Sequence, residues 1–241
     1  MSRDFIRVLD TGTRRPDRIP ECLDVRHQPA LRRSPVEVDT TLVSELLSRR
    51  RHLVFYSRYA VQVVVDKKLI ATADDHRLWA VGQKTATALE KNFAGPIQIP
   101  DDECFTGLRQ ALSQCDEALP IAAFGLLGTT RDLSSIAAQW GVDFTCIPVY
   151  QSVPVDAESL VRAFTAHRPH WITVTSSRGA HSIADALDAG TLRRLHTAGD
   201  LRFAAIGPST AETMRELELD AAVVLQTPTR AGLLQSIADE G

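Results

Sequence analysis

Hydroxyl side chains recur at one kind of place in this 241-residue sequence. Ser57, Thr85, Ser176, Ser177, Ser209, Thr210 and Thr229 each stand just after a short apolar run or at the start of the helical pattern that follows it. Such residues cap helices, because the side-chain oxygen accepts a hydrogen bond from a backbone N–H that the first turn leaves unpaired. For any one of them a structural cap is the simpler reading. As a set they predict more. In open parallel sheets ligands bind outside the carboxyl ends of the strands, where helix N-termini offer free N–H groups and partial positive charge. A ligand carrying several carboxylates or phosphates suits that chemistry. Of the 27 basic residues, 23 are Arg, whose planar fork grips carboxylates, although genome base composition alone would give the same bias.

Other chemistries lack their signatures. GQKTA and GPSTA do not have the G-x-G-x-x-G spacing of a dinucleotide site, and there is no G-x-x-x-x-G-K-[ST] phosphate loop. Ser57 and Ser176 lack the G-x-S-x-G elbow of a hydrolase nucleophile. Cys22, Cys104, Cys115 and Cys146 form no C-x-x-C pair, so buried free thiols are expected rather than a zinc site or disulfides. Pro169 breaks up the histidines of HRPH at 167–170 and predicts a surface loop there instead of a metal face. A net charge of −3 and a pI near 6.2 argue against general nucleic-acid binding. The weakly polar stretch from Ala118 to Gly128 contains Pro120 and is too short to cross a bilayer. The opening MSRDFIRVLD has no apolar signal core, which predicts a cytoplasmic protein.

The elements that must carry these hydroxyls alternate between strand and helix. Strands are predicted at Leu53–Phe55, Leu78–Val81, Ile97–Ile99, Ile121–Leu126 and Thr145–Val149, then at Trp171–Thr175, Phe203–Ile206 and Ala222–Leu225. Helical patterns lie between them, among them Leu133, Ile136, Ala137 and Trp140 on one face, closed by Gly141, and a helix after SSRG running through Ala189. Strand–helix alternation implies parallel sheets covered on both faces. The chain also repeats itself. LVFYSRYAV is similar to WITVTSSRGA, WAVGQKTATAL to FAAIGPSTAETM, and ECFTGLRQAL to PTRAGLLQSI, with 25 residues from Gly82 to Gly107 and 25 from Gly207 to Gly232.

These repeats predict two similar α/β lobes, each with a parallel five-stranded sheet, offering a cleft for the anion. The C-terminal half supplies too few strands, so Phe5–Leu9 and a strand around Val25–Leu31 are assigned to it. The expected lobes are residues 1–33 with 154–241, and the inserted 39–147. They are joined by a two-stranded linker near 34–38 and 148–153.

WITVTSSRGA, FAAIGPSTAETM and PTRAGLL, with TCIPVYQSVP before them, resemble the uroporphyrinogen-III synthase family from about Leu31 to the C-terminus. The opening departs from the family pattern: Arg14 follows Thr13, and a proline-bounded segment replaces a full helix. Tyr56 stands where the family often has Thr. The resemblance implies flavodoxin-like lobes and a monomer needing no metal or organic cofactor, no nucleic acid and no membrane. It implies the substrate hydroxymethylbilane, a linear tetrapyrrole with eight carboxylates, which the enzyme dehydrates, inverts at its last pyrrole ring and closes to uroporphyrinogen III. Carried over by motif, Tyr150 is the catalytic candidate. Ser57, Thr85, Ser176, Ser177, Arg202, Ser209 and Thr210 are the substrate-binding candidates. A non-catalytic relative that binds a tetrapyrrole or other polycarboxylate is the alternative.

Overall fold

The computed structural model describes residues 5–50, 52–70, 76–114, 120–128 and 143–240. In chain order its elements begin β1 (Ile6–Asp10), β2 (Leu23–His27), β3 (Leu31–Pro35), α1 (Thr40–Leu47), β4 (His52–Phe55), α2 (Arg58–Asp66), β5 (Arg77–Ala80) and α3 (Gln83–Glu90). Then come β6 (Ile97–Gln98), α4 (Phe105–Ser113), β7 (Ile121–Leu126), β8 (Phe144–Pro154), α5 (Ala157–His167), β9 (Trp171–Val174) and α6 (Ser177–Leu187). The described chain ends with α7 (Ala189–Thr197), β10 (Arg202–Ala205), α8 (Pro208–Glu216), β11 (Val223–Val224) and α9 (Arg230–Asp239). The pattern from Leu133 to Gly141 lies outside the described residues. No described helix is long and apolar enough to cross a membrane. The chain divides into two compact units, Met1–Arg32 with Val153–Gly241, and Arg33–Ser152.

The first unit is built on a five-stranded sheet in the order β11-β10-β9-β1-β2, with every neighbouring pair parallel. Its central strands β9 and β10 are buried on both faces because helices cover both. Ile172, Val174, Phe203 and Ala205 pack with Leu160, Ile183, Leu192 and Met214 of the helices. The alternate residues Val8, Trp171 and Ala204 pack with Leu233, Leu234 and Ile237 of α9.

The second unit holds a six-stranded sheet, β3-β8-β7-β4-β5-β6, instead of the expected five strands. Leu53, Phe55, Leu78 and Phe124 pack with Val61, Val64 and Leu89, and Phe55 stacks on Phe124 at 5.0 Å between ring centroids. Such a pair adds about 0.5–1.5 kcal/mol beyond its area burial. Val54, Trp79 and Ala123 face the other way, onto Leu108 and Leu112 of α4.

The extra strand corrects the reading of Val25–Leu31. That run is interrupted at Pro29, which has no N–H for a ladder. Instead, Gln28 N and Ala30 N donate to the carbonyls of Asp10 and Thr11, each at 3.0 Å. The chain then resumes as β3 beside β8. Residues 148–153 likewise continue β8, so Tyr150 lies inside a strand and not after one.

The helix expected through Ala189 breaks at Asp188, whose φ of 63° ends α6. Its carboxylate accepts from Thr191 N at 2.9 Å and caps α7. The thiols also differ from expectation. Cys22 is exposed and Cys104 and Cys146 are half-buried, all three free, while Cys115 lies outside the described residues.

Equating the repeats strand by strand makes the two layouts match. β6-β5-β4-β7-β8 takes the places of β11-β10-β9-β1-β2, with the chain entering at a different strand. Close approach accounts for the second glycine of each pair. A Cβ on Gly107 would lie 2.0 Å from Asp102 O, and one on Gly232 would lie 2.7 Å from Thr229 Oγ1, so each cap closes only over a glycine.

Candidate functional site

At the carboxyl ends of the first unit's strands, three helices start on hydroxyl or glycine caps. Ser176 caps α6 by accepting from Gly179 N at 3.0 Å, and Thr229 caps α9 by accepting from Gly232 N at 3.2 Å. α8 starts at Gly207 with no side-chain cap. Ser177 Oγ donates to the Ser209 carbonyl at 3.2 Å and so ties the first turn of α6 to that of α8. Ser176, Ser177 and Ser209 are thus brought together. Thr210, in the same turn of α8, is buried.

Arg202 is set apart from them. It opens β10 in register with Trp171 at the amino ends of the strands, roughly 10 Å from the carboxyl ends across a four-residue strand. Its guanidinium lies 4.2 Å from the Trp171 ring centroid and pairs with Glu240 at 2.6 Å. Those contacts make it a brace between β9 and α9, away from the hydroxyls at the carboxyl ends.

A polar cluster that sequence reasoning missed sits at the same carboxyl edge. Asp10, 1% exposed at the end of β1, accepts from Thr173 Oγ1 at 3.0 Å, lies 2.7 Å from His27 Nδ1 and pairs with Arg230. Arg230 also donates to the Arg14 carbonyl, so the guanidinium clamps the loop after β1. A Cβ on Gly12 would lie 2.6 Å from its Cζ. Arg230 stood inside the PTRAGLL motif, but the partners lie at opposite ends of the chain and no spacing could have joined them.

In the second unit the corresponding edge carries Ser57, Gly82 and Cys104 as caps of α2, α3 and α4. At the start of α3 the anion position is already filled, because Glu103 Oε2 accepts from Gln83 N at 2.8 Å. Thr85, two residues on, is buried. At the start of α2, Ser57 Oγ accepts from Ala60 N at 3.2 Å and stands 3.1 Å from the phenol oxygen of Tyr150. Tyr150 is 6% exposed, so its ring belongs to the core while its hydroxyl meets the cap.

The Tyr59 ring meets the Tyr150 ring edge-on at 5.1 Å and 87°. The Arg33 guanidinium lies 5.7 Å from the Tyr59 centroid and 5.8 Å from that of Tyr150. Sequence gave no sign of Arg33 or Tyr59, since a cation placed against ring faces exists only in the folded chain. Nearby, burial pushes the Cys146 thiol up to about 11. Burial also carries the Tyr56 phenol well above its ordinary value, with the Cys146 charge adding to it. Tyr56 packs against Gly125, where a Cβ would lie 2.8 Å from its Cδ2.

Among the described residues no group of His, Cys, Asp and Glu has metal-binding geometry. Two features of the arrangement bear on chemistry. Helix starts gather at the carboxyl ends of the strands, and a buried phenol stands 3.1 Å from a serine hydroxyl.

No curated protein sequence matches the chain. Among solved structures it is similar to uroporphyrinogen-III synthetase from Helicobacter pylori, at 15% identity and a TM-score of 0.67 over 98% of this chain and 100% of that one. It is also similar to a mutant uroporphyrinogen III synthase from Thermus thermophilus, at 18% identity and a TM-score of 0.54 over 97% of this chain and 98% of that one. Both likenesses establish the mixed α/β fold. The family model described as "HEM4: Uroporphyrinogen-III synthase HemD" spans residues 23–235. With most of its length inside that model, the chain belongs to the uroporphyrinogen-III synthase family.

Proposed function

We propose that this chain closes hydroxymethylbilane to uroporphyrinogen III with Tyr150 as the proton donor and Ser57 as the group that passes the proton on. The reaction, a cyclising lyase step of haem biosynthesis, is carried by the family match over residues 23–235. The proton path is carried by one observation, the 3.1 Å contact between Ser57 Oγ and the Tyr150 hydroxyl. A phenol so buried reaches solvent poorly, whereas Ser57 is half-buried at the helix start. If Tyr150 donates to Ser57, the Ser57 proton is free to point at the departing hydroxyl.

The pyrrole nitrogen pushes electrons toward its CH₂OH group. The C–O bond breaks, and the oxygen leaves as water with the proton relayed from Tyr150. The substituted carbon of the last ring attacks first and gives the spiro intermediate. Ring opening and reclosure then invert that ring, and the proton lost on closure returns to the phenolate. Because the unrearranged product forms spontaneously, the main task is orientation, which can supply several kcal/mol of barrier lowering. Substrate carboxylates are taken to be held by backbone N–H groups at the starts of α6 and α8, assisted by Ser176, Ser177 and Ser209, while buried Thr210 and Thr85 support the helix turns behind them.

The same reading takes the enzyme as a cytoplasmic monomer working without metal or organic cofactor. It also takes residues 1–33 with 154–241 and residues 39–147 as flavodoxin-like lobes. The strand order of the first unit, 2-1-3-4-5 when counted along that unit, supports this. A non-catalytic polycarboxylate binder is not favoured. Incubating the purified protein with hydroxymethylbilane and separating type I from type III isomers after oxidation tests the activity.

A further inference from the structure

Several arginines of the described chain have committed partners: Arg50 pairs with Asp143, Arg193 with Glu218, Arg202 with Glu240 and Arg230 with Asp10. Arg33 differs. It is half-buried, its guanidinium rests against the Tyr59 and Tyr150 rings, and no described carboxylate pairs with it. It also stands beside the first turn of α2, since Tyr59 lies in that turn and Tyr150 bonds its cap. A helix N-terminus carries partial positive charge, so a second cation beside it is unfavourable unless an anion joins them.

We propose that Arg33 binds one carboxylate of the tetrapyrrole and thereby sets the terminal pyrrole beside Ser57 and Tyr150. This rests on the reading of Tyr150 and Ser57 as the proton path. The two tyrosine rings, edge-on to each other, hold the guanidinium by cation–π contact, which consumes none of its N–H donors, so the fork remains available to a planar, bidentate partner. The carboxylate neutralises Arg33 and meets the helix start. Arg33 so placed is a specificity determinant: it fixes which side chain of the ring lies nearest the proton donor.

The test uses Arg33→Met, which keeps the apolar stem and so the ring packing, and Arg33→Lys, which keeps the charge without the fork. Steady-state kinetics with hydroxymethylbilane are measured at low and high salt, alongside fluorescence titration with uroporphyrin III as an octacarboxylate probe. Arg33→Met is expected to raise KM roughly 10- to 100-fold, as loss of a hydrogen-bonded charge does. Its kcat should fall too, by a smaller factor than KM rises, because the unanchored pyrrole lies beside Ser57 less often; the salt dependence of KM should flatten, and probe affinity should fall in parallel. Arg33→Lys should recover part of the loss.

A folded Arg33→Met protein with unchanged KM and probe affinity overturns the proposal. So does a fall in kcat at constant KM, which would make Arg33 a packing support for Tyr150. Failure of the proton-path reading looks different: Tyr150→Phe would keep full activity while the KM of Arg33→Met still decides the role of Arg33. If the wild type forms no type III isomer at all, the titration decides it.

Discussion

Tyr150 and Ser57 share a hydrogen bond in which either oxygen can donate, and the proposed chemistry depends on that choice. Tyr150→Phe keeps the ring in the core and deletes the proton. We expect kcat to fall about 100-fold, the lower end of general-acid contributions, with Tm little changed. Ser57→Ala should lower kcat comparably and also lose about 1 kcal/mol as a helix cap. Because the two act in series, the double variant should be little slower than the worse single one, and additive losses would refute the relay.

Cys146 gives a second prediction at this scale. With its thiol held up at about 11, it should resist alkylation at pH 8 while exposed Cys22 reacts, until denaturant removes the protection. Since the folded value lies above the unfolded one, this group's contribution to stability is full below the ordinary thiol value of 9.0 and is lost as pH climbs through about 11. Equal labelling of both thiols in the native protein, or stability flat over that window, would contradict the burial. Tyr150 and Ser57 were singled out from motifs in the sequence, as candidates. Arg33, Asp10 and His27 were not, because each takes its meaning from partners supplied by the fold.

At the scale of elements, Asp10 joins β1, β2, β9 and the start of α9 through Thr173, His27 and Arg230. Removing a buried carboxylate strands its cationic partner, which typically costs about 3–5 kcal/mol. Asp10→Ala should therefore shift the urea midpoint strongly downward, and an unchanged midpoint would show that the cluster is not needed to hold these strands.

Most strands and helix starts could be read beforehand, because short continuous apolar runs and glycine or hydroxyl caps are local signals. The elements that escaped are those whose signal is tertiary. β3, LRRSP, alternates little and gains its place from β8. α1 offers only Val43 and Leu47 to the core. The break between α6 and α7 hangs on a single Asp188 with positive φ. Arg202 was proposed from its place before the strand, and its contacts with Trp171 and Glu240 became visible only in the fold.

Taken whole, the molecule uses one layout twice, with matching strand orders and matching caps: Ser57 and Ser176, Gly82 and Gly207, Cys104 and Thr229. The copies have diverged in what they hold. Glu103 fills the start of α3, whereas among the described residues no carboxylate is bonded at the start of α8. An enzyme built this way works by holding a flexible polyanion in one fold long enough for the less accessible carbon to attack. That claim is tested most directly by product isomerism. Purified protein is fed freshly made hydroxymethylbilane, the product is oxidised, and the type I and type III uroporphyrins are separated and quantified. The account predicts that type III dominates and that its share rises with enzyme concentration; a product mixture indistinguishable from the spontaneous, type I-dominated one at every enzyme concentration would contradict it.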